Sequence, residues 1–189
     1  CGLTEPNANL EPETSEAFDI GVQWQSSDQR LTLGATVFDQ ETENLIDFSY
    51  TAGYDNIALV DSQGIELIGA YSVTDWLGVA ASYTFIDAVD GEGDELTRLP
   101  ENTGNVSLSL DPDGPFSGAV LVQYNGEEAN TDGSDLDSWT RVDLTGSYDL
   151  NETIELYGRI ENLFDEEYQQ ILGYGAPGLS GSVGLRLRY

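Results

Sequence analysis

The sequence predicts an all-β chain, an antiparallel up-and-down meander of about nine strands of the kind that builds a transmembrane barrel. Three observations predict it. Apolar and polar residues alternate with a period of two through most of the chain, as strands with two unlike faces require. The connections alternate strictly between short turns and long acidic loops. No window approaches the ~20 consecutive apolar residues of a helical span, whereas a barrel strand needs only about 9 to 11 residues.

The elements follow in order. Residues 1–16 are rich in Pro, Glu and Asn, and Pro12 cannot continue a ladder, so they read as an extended lead-in. Residues 17–189 form a single unit. In the first strand Phe18, Ile20, Val22 and Trp24 oppose Asp19, Gly21, Gln23 and Gln25; in the second, from Arg30 to Phe38, Leu31, Leu33, Ala35 and Val37 oppose Thr32, Gly34 and Thr36. The third, Gln63 to Tyr71, sets Ile65, Leu67, Gly69 and Tyr71 against Glu66, Ile68 and Ala70, and the fourth sets Leu77, Val79, Ala81, Tyr83 and Phe85 against Gly78, Ala80, Ser82 and Thr84. Val106, Leu108 and Leu110 mark the fifth strand, and Val120, Val122 and Tyr124 the sixth. The seventh places Val142, Leu144, Gly146 and Tyr148 opposite Arg141, Asp143, Thr145 and Ser147; the eighth places Ile154, Leu156, Gly158 and Ile160 opposite Glu155, Tyr157, Arg159 and Glu161. The last has Val183, Leu185, Leu187 and Tyr189 on one face and Gly184, Arg186 and Arg188 on the other.

Short turns fall near residues 26, 74, 112 and 151, and long loops at 39–56, 86–104, 125–138 and 164–180. This rhythm suits a barrel in an outer membrane, with short turns on one side and long loops on the other; a Greek-key sandwich has no reason to keep it. An alternation Ile46, Phe48, Tyr50 inside the first long loop is expected to extend the flanking strands beyond the membrane slab. The long loops hold more than half of the acidic residues in little more than a third of the chain, which places acidity on one water-facing rim.

Composition narrows the function classes. The net charge is -29, there is no Lys or His, and all six basic residues are Arg. Nucleic acid and anionic lipid surfaces draw on basic patches, so neither is an expected partner. One Cys, at position 1, allows no internal disulfide; Cys1 is either a lipidated mature end or the point where a segment of a longer chain begins. Without His, a Gly-Xaa-Ser-Xaa-Gly elbow or a phosphate loop, no catalytic constellation has carriers, and no enzymatic activity is expected.

Other residues are candidates for binding or assembly. Arg141, Asp143, Glu155, Arg159, Glu161, Arg186 and Arg188 share the polar face, and in a barrel they form a lumen charge network; in a soluble sheet they form a salt-bridged wet face. Asp87, Asp90, Glu92, Asp94 and Glu95 are the densest acidic set. They read either as oxygen ligands for a structural Ca²⁺ or as a solvated rim, and no loop has the spacing of an EF-hand. No other cofactor is expected. Trp24, Trp76, Tyr83, Phe85, Tyr124, Trp139, Tyr148 and Tyr189 lie near strand ends, as in an interfacial girdle. Tyr50, Tyr54, Trp139 and Tyr174 are the loop aromatics placed for ligand contact.

Three stretches carry a family resemblance. Asn9-Leu10-Glu11-Pro12-Glu13 resembles an Asn-Leu-(Lys/Glu)-Pro-Glu lead into a late barrel strand, and Asp61-Ser62-Gln63-Gly64-Ile65-Glu66 resembles a Gly-(Val/Ile/Phe)-Glu strand. Asn162, Leu163, Phe164 and Asp165 with Tyr168, followed by a terminal aromatic strand ending at Tyr189, are similar to a C-terminal box. All three belong to TonB-dependent outer-membrane receptors, in the cobalamin and siderophore branch. The resemblance implies a barrel of about 22 strands filled by an N-terminal plug. It further implies uptake of a scarce ligand such as an iron-siderophore or cobalamin, energised by the inner-membrane TonB complex. The implied partners are outer-membrane lipid, the plug and further barrel strands of the same protein, and TonB through those further parts. An odd number of strands cannot close as a regular antiparallel barrel, so a C-terminal piece of a longer barrel is the expectation. The competing expectation is a surface-exposed β-rich binding or assembly module, lipid-anchored through Cys1.

Overall fold

The computed structural model describes residues 7–49, 53–130 and 133–188. Cys1, Tyr50 and Tyr189 lie outside the described residues. Long strands β1 (Thr14–Gln25), β2 (Leu31–Ser49), β3 (Gly53–Ser72), β4 (Leu77–Asp90), β5 (Asn102–Leu110) and β6 (Phe116–Asn125) come first. After two short strands, β7 (Glu128–Ala129) and β8 (Asp135–Leu136), come β9 (Trp139–Asp149) and β10 (Ile154–Glu161). The short strands β11 (Gln169–Ile171) and β12 (Tyr174–Gly175) precede β13 (Ser180–Leu187). The described residues form one 9-stranded sheet in the order β1-β2-β3-β4-β5-β6-β9-β10-β13. Every neighbouring pair in it is antiparallel, as the alternation predicts. The pairs β7-β8 and β11-β12 are two-stranded hairpins set into the last two long connections.

Register makes the two faces continuous across strands. Ala81 pairs with Val106, Val106 with Val122 and Val122 with Val142, so apolar side chains stand beside one another on one side. One position along, Ser82 pairs with Asn105, Asn105 with Gln123 and Gln123 with Arg141 on the other. No second layer covers the apolar side among the described residues: Phe18 is 67 % exposed, Val22 69 % and Val183 76 %. In water this is untenable for so large a patch; in hydrocarbon it is the stable arrangement.

The upper margin of the apolar side is a straight line set by register. Val37 pairs with Ile65 and Ile65 with Phe85, while two residues further Asp39 pairs with Gln63 and Gln63 with Asp87. The chain therefore passes from hydrocarbon-compatible to water-seeking residues at one level on three strands. Aromatics mark both margins: Trp24, Trp76, Phe116 and Tyr148 near the short turns, and Tyr83 and Tyr124 near the long loops, all partly exposed. Phe116 and Tyr124 are eight residues apart in β6, about 27 Å along a strand and close to the ~25 Å apolar band of an outer-membrane barrel.

Two expectations are corrected here. Residues 39–56 are not a loop: β2 has 19 residues and β3 has 20, paired from Leu31↔Tyr71 to Ser49↔Gly53. The Ile46 and Phe48 alternation does extend both strands past the slab. Acidic residues hid the ladder, because above the membrane both faces are wet and the apolar alternation disappears while the backbone pairing continues. The lead-in also ends sooner, since β1 begins at Thr14. Its preceding residues lie along the β2–β3 hairpin: Asn56 Oδ1 accepts from the Glu11 amide at 2.9 Å, Asn56 Nδ2 donates to the Glu11 carbonyl at 3.0 Å, and Glu13 accepts from the Ile46 amide at 2.8 Å.

A one-residue step should separate the faces energetically. Val106→Arg, in the middle of the apolar band, is expected to cost about 2–4 kcal/mol in a bilayer, and Ser107→Arg on the opposite face markedly less. Urea titration of the protein folded into lipid vesicles measures both.

Candidate functional site

The polar face of β9, β10 and β13, with Arg188 one residue beyond β13, gathers the seven charged residues expected there. Asp143 is its centre, with a side chain 3 % exposed. Its Oδ2 accepts from Arg141 at 3.1 Å and from Arg159 at 3.3 Å, and its Oδ1 accepts from the Asn162 amide at 3.0 Å. Arg159 also reaches Glu161 at 3.1 Å. Glu155 forms a second node, accepting from Arg186 at 2.9 Å and Arg188 at 2.6 Å, and Arg188 continues to Asp149 at 3.1 Å. Alternation places these groups on one face, and the register that pairs Glu155 with both Asp149 and Arg186 brings them within reach. A buried carboxylate is tolerated when its lone pairs are filled in this way.

Tyr157 lies between the nodes. Its ring covers Gly184, where an added Cβ would meet Tyr157 Cζ at 2.5 Å, and the Arg186 guanidinium stands 5.3 Å from its centroid. Gly184 is needed for this close approach, and the ring in turn holds the arginine by a cation–π contact.

The stretch Asn162 to Tyr168 closes the upper end of the network. Asn162 is 2 % exposed and adopts φ 54°, a left-handed conformation Asn tolerates better than most residues. Its side chain donates to the carbonyls of Glu166 at 2.9 Å and Pro177 at 3.2 Å and accepts from the Glu166 amide at 2.9 Å. Asp165 accepts from the Leu179 amide at 2.7 Å, and the Leu163 amide bonds to the Val142 carbonyl at 2.8 Å. The motif is thus a hydrogen-bonded knot that ends β10 and returns the chain toward β13. Tyr168 receives Arg141 at 3.1 Å through its hydroxyl and stacks on Trp139, centroids 4.3 Å apart. Phe164 projects outward, 73 % exposed.

Of the expected ligand aromatics, the described ones, Tyr54, Trp139 and Tyr174, do not form one site. Trp139 is corrected: it opens β9, is 8 % exposed and lies beneath Tyr168, so it is a packing residue and belongs neither to an open mouth nor to a girdle. Its polar-face position follows from the parity it shares with Arg141. Tyr54 is exposed and meets Phe48 edge to face at 5.1 Å, near the tip of the β2–β3 hairpin. Tyr174 is 74 % exposed on β12. A cavity of about 570 Å³ lies between the β7–β8 and β11–β12 hairpins, with Tyr168, Asp135 and Glu167 on its walls.

The Asp87 to Glu95 set divides its work. Asp87 accepts from Gln63 at 3.2 Å, and Asp90 Oδ1 accepts the amides of Glu92 and Asp94 at 2.9 and 3.0 Å. Among the described residues, no three Asp, Glu, His or Cys side chains converge to hold a metal ion. Glu128, by contrast, carried no distinguishing sequence signal and is buried, 8 % exposed.

The family model described as TonB dependent receptor-like, beta-barrel, matches residues 2–163. The chain belongs to this family. It is 31 % identical over 178 residues to the vitamin B12 transporter BtuB of Photobacterium profundum, covering 86 % of this chain and 28 % of that protein. It is 25 % identical over 187 residues to the probable TonB-dependent siderophore receptor PiuA of Acinetobacter baumannii, covering 86 % of this chain and 24 % of the other. Among solved structures, the copper transporter OprC superposes with a TM-score of 0.81 at 19 % identity, over 96 % of this chain and 32 % of that one. The ferripyoverdine receptor of the outer membrane of Pseudomonas aeruginosa superposes at 0.77 and 18 %, over 94 % of this chain and 27 % of that one. These relatives are transporters and receptors, not enzymes. The nine-stranded sheet is therefore a segment of an outer-membrane TonB-dependent receptor barrel, and the chain spans less than a third of the length of the relatives it matches. Of the two readings the sequence left open, the barrel holds.

Asp143→Ala takes one acceptor from each of Arg141 and Arg159, which keep Tyr168, Gln123 and Glu161, and leaves the Asn162 amide without its partner; it is expected to destabilise the barrel by about 1–3 kcal/mol. Asp143→Asn keeps an acceptor for that amide and should lose about half as much. Comparing the urea midpoints of the two variants in lipid vesicles tests the order.

Proposed function

We propose that the chain is the C-terminal barrel portion of a receptor that imports a scarce metal chelate or a cobalamin-like compound across the outer membrane. The plug, the remaining strands and the contact with the TonB complex belong to other parts of the same protein. Membership of the family is the observation that carries this reading, and the relatives named for vitamin B12, siderophore and copper transport set the ligand classes. The lumen network supports it. Its two nearly buried carboxylates, Asp143 and Glu155, are each held by two arginines, which gives a fixed polar surface of the kind a packed plug rests against.

Cells carrying the intact receptor are expected to accumulate either a radiolabelled ferric siderophore or labelled cobalamin, and to lose that uptake when TonB is deleted. Receptor present in the outer membrane with no TonB-dependent uptake of metal chelate or cobalamin overturns the proposal.

A further inference from the structure

A groove of about 460 Å³ lies open on the apolar side and crosses β3 to β6. Gly69, Ala81 and Gly104, with the smallest side chains, form its floor, and Tyr83, Val106 and Tyr124 form its walls. Register explains the gap. Gly104 pairs with Tyr83 on one side and with Tyr124 on the other, so two aromatic residues flank a position with no side chain. Two residues lower, Gly69 pairs with Ala81 and Ala81 with Val106, which carries the groove toward the middle of the apolar band.

The two ends of the groove differ. At the upper end Tyr83 donates its hydroxyl to Asn102 Oδ1 at 2.6 Å, which fixes the ring beside Gly104. Tyr124 also borders the long-loop rim, together with Glu101 and Glu127. These two carboxylates lie three residues beyond Gly104 and Tyr124, about 10 Å further along the strand direction. The lower end stops at Gly69 and Val106, inside the apolar band. A guest of this groove is therefore apolar below and polar above.

Magnitudes choose the guest. β4 and β6 are two strand spacings apart, about 9.6 Å, and the tyrosine rings take part of that width. An α-helix of a neighbouring protein, about 10–12 Å across, does not enter, and an added strand would leave unpaired amides in lipid. A single hydrocarbon chain fits. Above it, Arg98 is the only basic residue of the long loops, so a purely anionic head group meets repulsion, whereas an ammonium group meets Glu101 and Glu127.

We propose that the groove retains one lipid of the outer membrane, with an acyl chain laid over Gly104, Ala81 and Gly69 and an ammonium-bearing head at Glu101 and Glu127. The site goes beyond the import reading and requires only that the apolar side meets lipid.

The test is native mass spectrometry of the intact receptor in mild detergent, supplied with phosphatidylethanolamine and phosphatidylglycerol of identical chains. One phosphatidylethanolamine is expected to stay bound under activation that strips the remaining lipid. Ala81→Leu fills the floor and displaces about two methylenes of the chain, so retention should fall at least about tenfold. Gly69→Leu should act alike, since a Cβ there meets only Leu33, at 3.5 Å. Val120→Leu, on the same side but outside the groove, should leave retention unchanged. Replacing Glu101 and Glu127 together by Gln should abolish the preference between the two lipids. Heat-dependent gel mobility verifies that each variant folds. Equal retention of both lipids by the unaltered receptor, equal retention by the Ala81→Leu and Val120→Leu receptors, or lipopolysaccharide held in place of phosphatidylethanolamine would overturn the proposal. Uptake of chelate or cobalamin is scored separately, so failure here leaves the import reading untouched.

Discussion

Everything in this structure depends on one sheet having to serve as both wall and interior. Among the described residues no helix or second large sheet packs over the nine-stranded sheet, so backbone pairing must satisfy every amide and carbonyl inside the bilayer, and side-chain parity decides which of its two sides a residue takes. A slip of one residue in any ladder would exchange Val106 for Ser107 or Leu144 for Asp143. The unbroken register from β1 to β13 is therefore the condition on which the lipid side, the charge network and the aromatic margins all rest.

The hub at Asp143 shows how such a sheet gains a third dimension without a second layer. Its carboxylate joins two strands through Arg141 and Arg159 and fixes the loop after β10 through the Asn162 amide. The Asn162 side chain then gathers Glu166 and Pro177, so strand and loop share one polar core. The loop is thus fixed to the sheet by hydrogen bonds, where a soluble protein would fix it by buried apolar area.

The period of two was legible wherever one face meets hydrocarbon, and there strands and faces agree with the alternation. It faded in β2 and β3 above the margin at Asp39, Gln63 and Asp87, because water on both sides removes the contrast that alternation records. The seven charged residues of the polar face were legible as a set, since parity and register follow from the strands. Their grouping into two nodes was not, because it depends on which rotamers span neighbouring strands. Trp139 misled because its place beside acidic Asp135 and Asp137 suggested a loop, while parity with Arg141 decided its fate. Glu128 left no trace in the sequence, as its burial comes from a short hairpin folding back over the rim.

The paired extension of β2 and β3 has a mechanical consequence. Beyond the apolar margin it continues for ten or so residues on each strand, about 30 Å of ladder, and the lead-in bonds at Glu11 and Glu13 run along it as a third cord. Bending such a mast would break ladder and cord together, so it stands as a stiff post above the apolar margin.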